Sequence, residues 1–212
     1  MRQHKPRASL AFVFVAMLTF CSPPAFADDS DDCADGKGDA AIAACTREIA
    51  SGRSKGSDQA INYYDRGLEY YGKGDYAHAI ADFDAAIKFD PKMADAYDDR
   101  GNVYYDKHDY DRAITDYSAA IKINPSDARA YFNRGVADTD QGDRERAVAD
   151  FSAAIRFDAH MADAYSRRAK IYKDRGDTEH ALADYEMTTK LNPDDSDAQA
   201  EVKALRAILR GH

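Results

Sequence analysis

ADAYDDRGNVYYDKHDYDRAITDYSAAIKINPSD, residues 94–127, sets the period of this chain. Laid over its neighbours it gives four units of 34 residues: 60–93, 94–127, 128–161 and 162–195. Counting from 1 within each unit, position 4 is tyrosine throughout: Tyr63, Tyr97, Tyr131 and Tyr165. Position 8 is small (Gly67, Gly101, Gly135, Ala169) and position 20 is always alanine (Ala79, Ala113, Ala147, Ala181). Position 24 is aromatic (Phe83, Tyr117, Phe151, Tyr185), and position 32 is Pro91, Pro125, Ala159 and Pro193.

Positions 4, 8 and 11 follow i, i+4, i+7 spacing and make one face of a first helix. Positions 20, 24 and 27 do the same for a second. Small residues at 8 and 20 let the two helices approach closely. Gly-Asp at 74–75, 142–143 and 176–177, and His108-Asp109 in the second unit, punctuate the turn between them. Proline at position 32 stops the second helix. No such unit can bury both its faces alone, so stability requires stacking.

A period of 34 with these residues resembles the tetratricopeptide repeat, a helix–turn–helix unit. The resemblance covers residues 60–195 and implies an all-α fold, a right-handed α-α superhelix of four full repeats. Departures are tyrosine where the family often has tryptophan, Asp138 at an aromatic position, Ala159 for proline and Thr188 for alanine. The ends of such an array need covers. DAAIAACTREIA, within the segment 28–59, resembles a lone second helix, and 196–212 holds an amphipathic capping helix with Ser196 and Gln199 placed as a capping box.

Position 7 is arginine in every unit (Arg66, Arg100, Arg134, Arg168), where the family pattern favours leucine. Position 23 is always aspartate (Asp82, Asp116, Asp150, Asp184). Both lie on packed faces of antiparallel helices and at nearly the same level. A ladder of Arg–Asp bridges is expected, within a repeat or crossing to the next, since unpaired buried charges are costly. The alternative is arginines that snorkel, with solvated heads.

Function is expected on surface that varies between units. The resemblance implies a concave groove lined by the first helices. Its candidate partner-binding residues are Tyr64, Leu68 and Tyr71, then Asp98, Asn102 and Tyr105, then Arg129, Phe132 and Asn133, and last Arg167 and Lys170. Val136 lies on the same stripe. The stripe runs from apolar-aromatic through acidic to basic, which suits a peptide or protein ligand with an acidic end. A structural or self-assembling array without a groove ligand is the other reading. Some tetratricopeptide domains clamp the C-terminal carboxylate of a chaperone. Asn102, Asn133 and Arg167 match that arrangement, but Asp98 and Asp163 stand where lysines should be, and their charges would repel the ligand.

Composition excludes several classes. The net charge of −9 and the absence of a basic run beyond the first residues argue against phosphate-backbone binding, so no nucleic-acid partner is expected. The six histidines sit in no metal-ligand spacing, and no nucleophile motif or phosphate loop appears. No metal, no cofactor and no catalytic residue is expected, and the acidic lead-in 28–37 reads as solvated rather than as a calcium loop.

The first 27 residues read as a cleaved signal peptide: Arg2, Lys5 and Arg7, an apolar run of 11 residues, and Ala25-Phe26-Ala27 before Asp28. The run is short for a stable membrane span. A lipid anchor at Cys21 is the weaker alternative, because bulky Phe20 precedes the cysteine. Cleavage leaves 26 basic residues against 38 acidic, a mature charge of −12, and an exported chain, periplasmic in a bacterium or secreted. The resemblance is then to small envelope proteins that bring enzymes or assembly factors together. Cys33 and Cys45 remain, an even pair expected to oxidise after export, with free thiols or metal ligation as the alternatives.

Overall fold

The computed structural model describes Cys33 and residues 36–211. The expected signal segment 1–27, Cys21 and most of the acidic lead-in lie outside the described residues. Among the described residues ten helices follow one another: α1 Gly38–Ser51, α2 Ser57–Gly72, α3 Tyr76–Phe89, α4 Ala94–Asp106, α5 Tyr110–Ile123, α6 Ala128–Gln141, α7 Arg144–Phe157, α8 Ala162–Asp174, α9 Thr178–Leu191 and α10 Ser196–Arg210. No strand occurs among the described residues. Each helix packs on its neighbours in the chain, and α2, α4 and α6 also touch in series along one side.

The turn inside each unit has one geometry. A residue with φ between 59° and 96° (Gly74, His108, Gly142, Gly176) ends the first helix in the left-handed conformation. The aspartate after it then caps the second helix: Asp75, Asp109, Asp143 and Asp177 accept from the backbone N–H of His78, Arg112, Arg146 and His180 at 3.1–3.3 Å. The same aspartates donate their own N–H back to the carbonyl of position 11 at 2.8–2.9 Å, closing a Schellman turn.

The second helices stop at position 30, at Phe89, Ile123, Phe157 and Leu191, whether or not proline follows. Position 31 is extended in every unit, with ψ between 86° and 94°. In the first three its side chain accepts from the N–H two residues on, at Lys92, Ser126 and His160. This local turn stops α7 where Ala159 stands in place of proline.

The core is the seam between the two helices of each unit. Ala79, Ala113, Ala147 and Ala181 are fully buried, and the position 24 rings pack against position 8. A Cβ added at Gly67, Gly101 or Gly135 would stand 2.7–3.0 Å from the ring of Phe83, Tyr117 or Phe151. Glycine there buys ring-on-backbone contact that buries each aromatic almost completely. A fully buried ring of this size contributes about 1.5–3 kcal/mol.

At the ends, α1 covers α2, and α10 covers α9 through Ala198, Val202 and Leu205. Asp195, not Ser196, is the N-cap of α10, accepting from Ala198 N–H at 2.8 Å. The expected capping box does not form, because Gln199 turns its amide to the Pro193 carbonyl at 2.6 Å. Beside α1 the sulfurs of Cys33 and Cys45 lie 2.18 Å apart, buried with Ala44.

Candidate functional site

The position 7 arginines and position 23 aspartates meet in every unit as two-pronged pairs. Nε and Nη2 of Arg66, Arg100, Arg134 and Arg168 donate to both oxygens of Asp82, Asp116, Asp150 and Asp184 at 2.6–2.8 Å. The third guanidinium nitrogen, Nη1, crosses to the preceding second helix. It reaches Asp84 from Arg100, Ser118 from Arg134 (3.0 Å) and Ser152 from Arg168 (2.8 Å). Arg66 instead reaches Thr46 of α1 at 2.9 Å. Each guanidinium also lies 5.5–5.9 Å from the ring of the position 4 tyrosine one turn earlier. The recurring Tyr-x-x-Arg is therefore a clamp between helices and between units, and every nitrogen of the fork is used.

Along the side formed by the first helices, a second set of bonds joins neighbouring units. Tyr64 donates to Asp99 (2.6 Å), Tyr71 to Asp106 (2.8 Å) and Tyr105 to Asp140 (2.5 Å). Burial and the aspartate partner both push the Tyr64 and Tyr71 hydroxyls upward, and they push Tyr105 to about 12, so each phenol stays a donor. Arg129 pairs with Asp95 (2.9 Å) and with Asp98 (3.2 Å). Asn133 donates to Asp98 and to Asn102 at 3.3 Å, and Asn102 to Asp99 at 3.1 Å.

These bonds redistribute the residues expected to line the groove. Tyr64, Leu68 and Tyr71 are half-buried over the cluster of Ala79, Phe83 and Val103. Asp98 is 0% exposed and belongs to the interior, a correction to its expected place on the open wall. Position 5 turns further inward than a simple helical stripe suggests, because Arg129 and Asn133 of the next unit close over it. Burial raises its carboxyl to about 6 despite the nearby Arg129. Val136 is likewise buried, against Ala147, Phe151 and Ile171. Asn102, Asn133, Tyr105 and Arg129 are committed to intramolecular bonds.

The far end differs. Phe132, Ser166, Arg167 and Lys170, with Asp163 and Tyr185, line an open depression of about 510 Å³. A second of about 190 Å³ shares Arg167 and Lys170 and continues past Thr139 and Asp174. Arg167 lies 6.0 Å from the Phe132 ring. Among the described residues neither Arg167 nor Lys170 forms an ion pair, whereas the other groove cations are engaged. Tyr185, Asp140 and Asp174 were not among the expected residues. The recurrence of aspartate at position 13 (Asp106, Asp140, Asp174) was the signal for two of them. No group of three or more metal-ligating side chains occurs among the described residues, and no described helix is long and apolar enough to cross a membrane.

Family models for tetratricopeptide repeats match residues 67–108, 101–138, 128–160 and 162–195. The chain belongs to the tetratricopeptide repeat family. Among solved structures it is similar to that described as the MamA protein, with 25% identity, a TM-score of 0.65, and 69% of this chain and 80% of that one covered. A second MamA structure superposes over 80% of this chain and 97% of its own at 19% identity and a TM-score of 0.71, showing the shared right-handed α-α superhelix. The first tetratricopeptide domain of Spaghetti (RPAP3), bound to the HSP90 peptide SRMEEVD, matches at 26% identity and a TM-score of 0.53, over 57% of this chain and 96% of that one. No curated protein sequence matches the chain.

Proposed function

We propose that this tetratricopeptide repeat protein is a non-catalytic adaptor of the cell envelope, exported to the periplasm or secreted, that holds a peptide or protein segment at the third- and fourth-unit end of its groove. One observation carries the reading. The groove's front half spends its polar groups on itself, while Arg167 and Lys170 stand unpaired beside Phe132 around an open depression. In the larger depression two cations against the one carboxylate of Asp163 favour an acidic segment, Asp140 and Asp174 bordering the adjoining one, and Phe132 offers a face for an apolar or aromatic residue. A relative in the same fold carries a peptide ending in acidic residues and valine, which supports segment binding by this architecture. The same export predicts an oxidised Cys33–Cys45 pair that ties the lead-in to α1.

The test is fluorescence anisotropy with labelled peptides that differ only in the sign of their terminal charges. Acidic-ended, aromatic-containing peptides should bind, and Arg167→Glu/Lys170→Glu should weaken them at least tenfold with the helical content unchanged. Equal binding of acidic and basic peptides, or no loss in the variant, would reject the site. Light scattering that rises with concentration in the absence of peptide would favour a self-assembling array.

A further inference from the structure

The third unit lacks a ring that the other three possess. Position 11 is Tyr70, Tyr104 and Tyr172 elsewhere and Asp138 here. Where the tyrosine is present, the position 19 side chain covers it. His78 stacks on Tyr70 at 4.9 Å, His180 lies 5.2 Å from Tyr172, and the Arg112 guanidinium sits 4.4 Å over Tyr104.

Arg146 is the counterpart of Arg112 and is held in the same way. Nε of each donates to the capping aspartate five residues after position 11, Asp109 at 2.7 Å and Asp143 at 2.6 Å in the two units. Among the described residues no ring lies over Arg146. In place of the ring is a cavity of about 280 Å³, bordered by Asp138, Arg146, Arg134, Ser118 and Ile114.

The cavity is not merely empty space between helices. Asp138 is 1% exposed, and its Oδ1 has no hydrogen-bond donor. Arg146 Nη2 approaches that oxygen only to 3.5 Å, an ionic contact too long for a good hydrogen bond. Arg134 makes no hydrogen bond to it either, since its fork is aimed at Asp150 and Ser118. What would satisfy the site is a flat ring under the Arg146 guanidinium with a hydroxyl or N–H for Asp138. Both arginines are already paired, Arg134 with Asp150 and Arg146 with Asp143, and a cation without a ring would leave the Arg146 guanidinium uncovered. An aliphatic ligand would leave the buried carboxylate unsatisfied.

We propose that the vacated ring position of the third unit, between α5, α6 and α7, is a binding pocket for a phenolic ring, with Asp138 accepting its hydroxyl and Arg146 covering its face. The pocket shares no lining residue with the depression at Phe132, so its ligand is distinct from the groove's.

The test uses mature protein and three probes followed by NMR: p-cresol, its methyl ether p-methylanisole, and N-acetyl-tyrosine amide. p-Cresol should bind saturably in the millimolar range, as a fragment of this size allows, shifting amides near Asp138 and Arg146. The methyl ether, lacking the donor, should bind at least tenfold more weakly. Binding of the tyrosine amide as well would assign the pocket to a partner's side chain, and binding of p-cresol alone to a free phenol. Asp138→Tyr should restore the ring, raise the melting temperature and abolish p-cresol binding. Arg146→Ala, which leaves the core intact, should weaken it severalfold. Non-saturable shifts, equal affinity for the ether, or unchanged affinity in either variant would overturn the proposal.

Discussion

His108 is the single non-glycine residue with positive φ among those described, at 59°, where the other three units use glycine. An L side chain is strained there, so His108→Gly should raise stability by about 0.5–1 kcal/mol, read as a higher urea midpoint at unchanged slope. Gly101 is the opposite case. Its Cβ would stand 2.7 Å from the Tyr117 ring, and Gly101→Ala should cost about 1–3 kcal/mol. The fourth unit accommodates Ala169 at the same position, with Tyr185 5% exposed rather than fully buried, so the ring can yield and the fold should survive. Glycine at position 8 was legible as a close approach because it recurs opposite an aromatic. The burial of Asp98 was not legible: sequence spacing assigns a helical face, but the reach of Arg129 and Asn133 from the next unit decides what is covered.

The helices were readable because their punctuation recurs, Gly-Asp (His-Asp in the second unit) at one end and proline at position 32 in three units at the other. Proline was the expected stop of the second helix, yet α7 ends in register without it. The Asx turn at Asp158 supplies the stop, and proline only reinforces it. Between helices the arginine fork is the strongest polar element. The arginines are 16–23% exposed and their aspartates 5–8%, so the pairs are largely withdrawn from water. Removing one partner strands the other, and Asp116→Ala should cost about 2–4 kcal/mol. A double-mutant cycle with Arg100→Ala should return a coupling above about 1 kcal/mol, and a value near zero would reduce the fork to a surface pair.

Across the array, contacts join successive helices and, in places, alternate first helices, so stability is a sum over neighbours, with α10 as the final lid. Three carboxyls drawn from water, Asp98 and Asp138 buried and Asp65 half-buried, tilt that sum with pH. Burial raises Asp65, Asp98 and Asp138 to about 6, above the ordinary aspartate value. The folded state therefore holds protons that the unfolded chain has already released between about pH 4 and 6. Raising pH through that window costs stability, so the melting temperature should be higher at pH 5 than at pH 7.5. Asp138→Asn should shrink the difference, and a melting temperature lower at pH 5 would contradict these assignments. The groove's direction was legible as a charge gradient, but its open end was not, since only coordinates reveal which charges are already spent. The Tyr–Asp bonds that spend them also have a mechanical meaning. Each ties one unit to the next along the groove, and they cease after Tyr105, because Thr139 turns its hydroxyl back to the Gly135 carbonyl and leaves Asp174 without a phenol. At that last junction the outer ties are exposed ion pairs, Arg144–Asp174 at 3.5 Å and Arg175–Glu145 at 2.9 Å, which salt screens. Rising ionic strength should therefore loosen the outer edge of that last junction first, while Ile171 packed on Val136 and Phe151 and the Arg168–Ser152 bond still hold it.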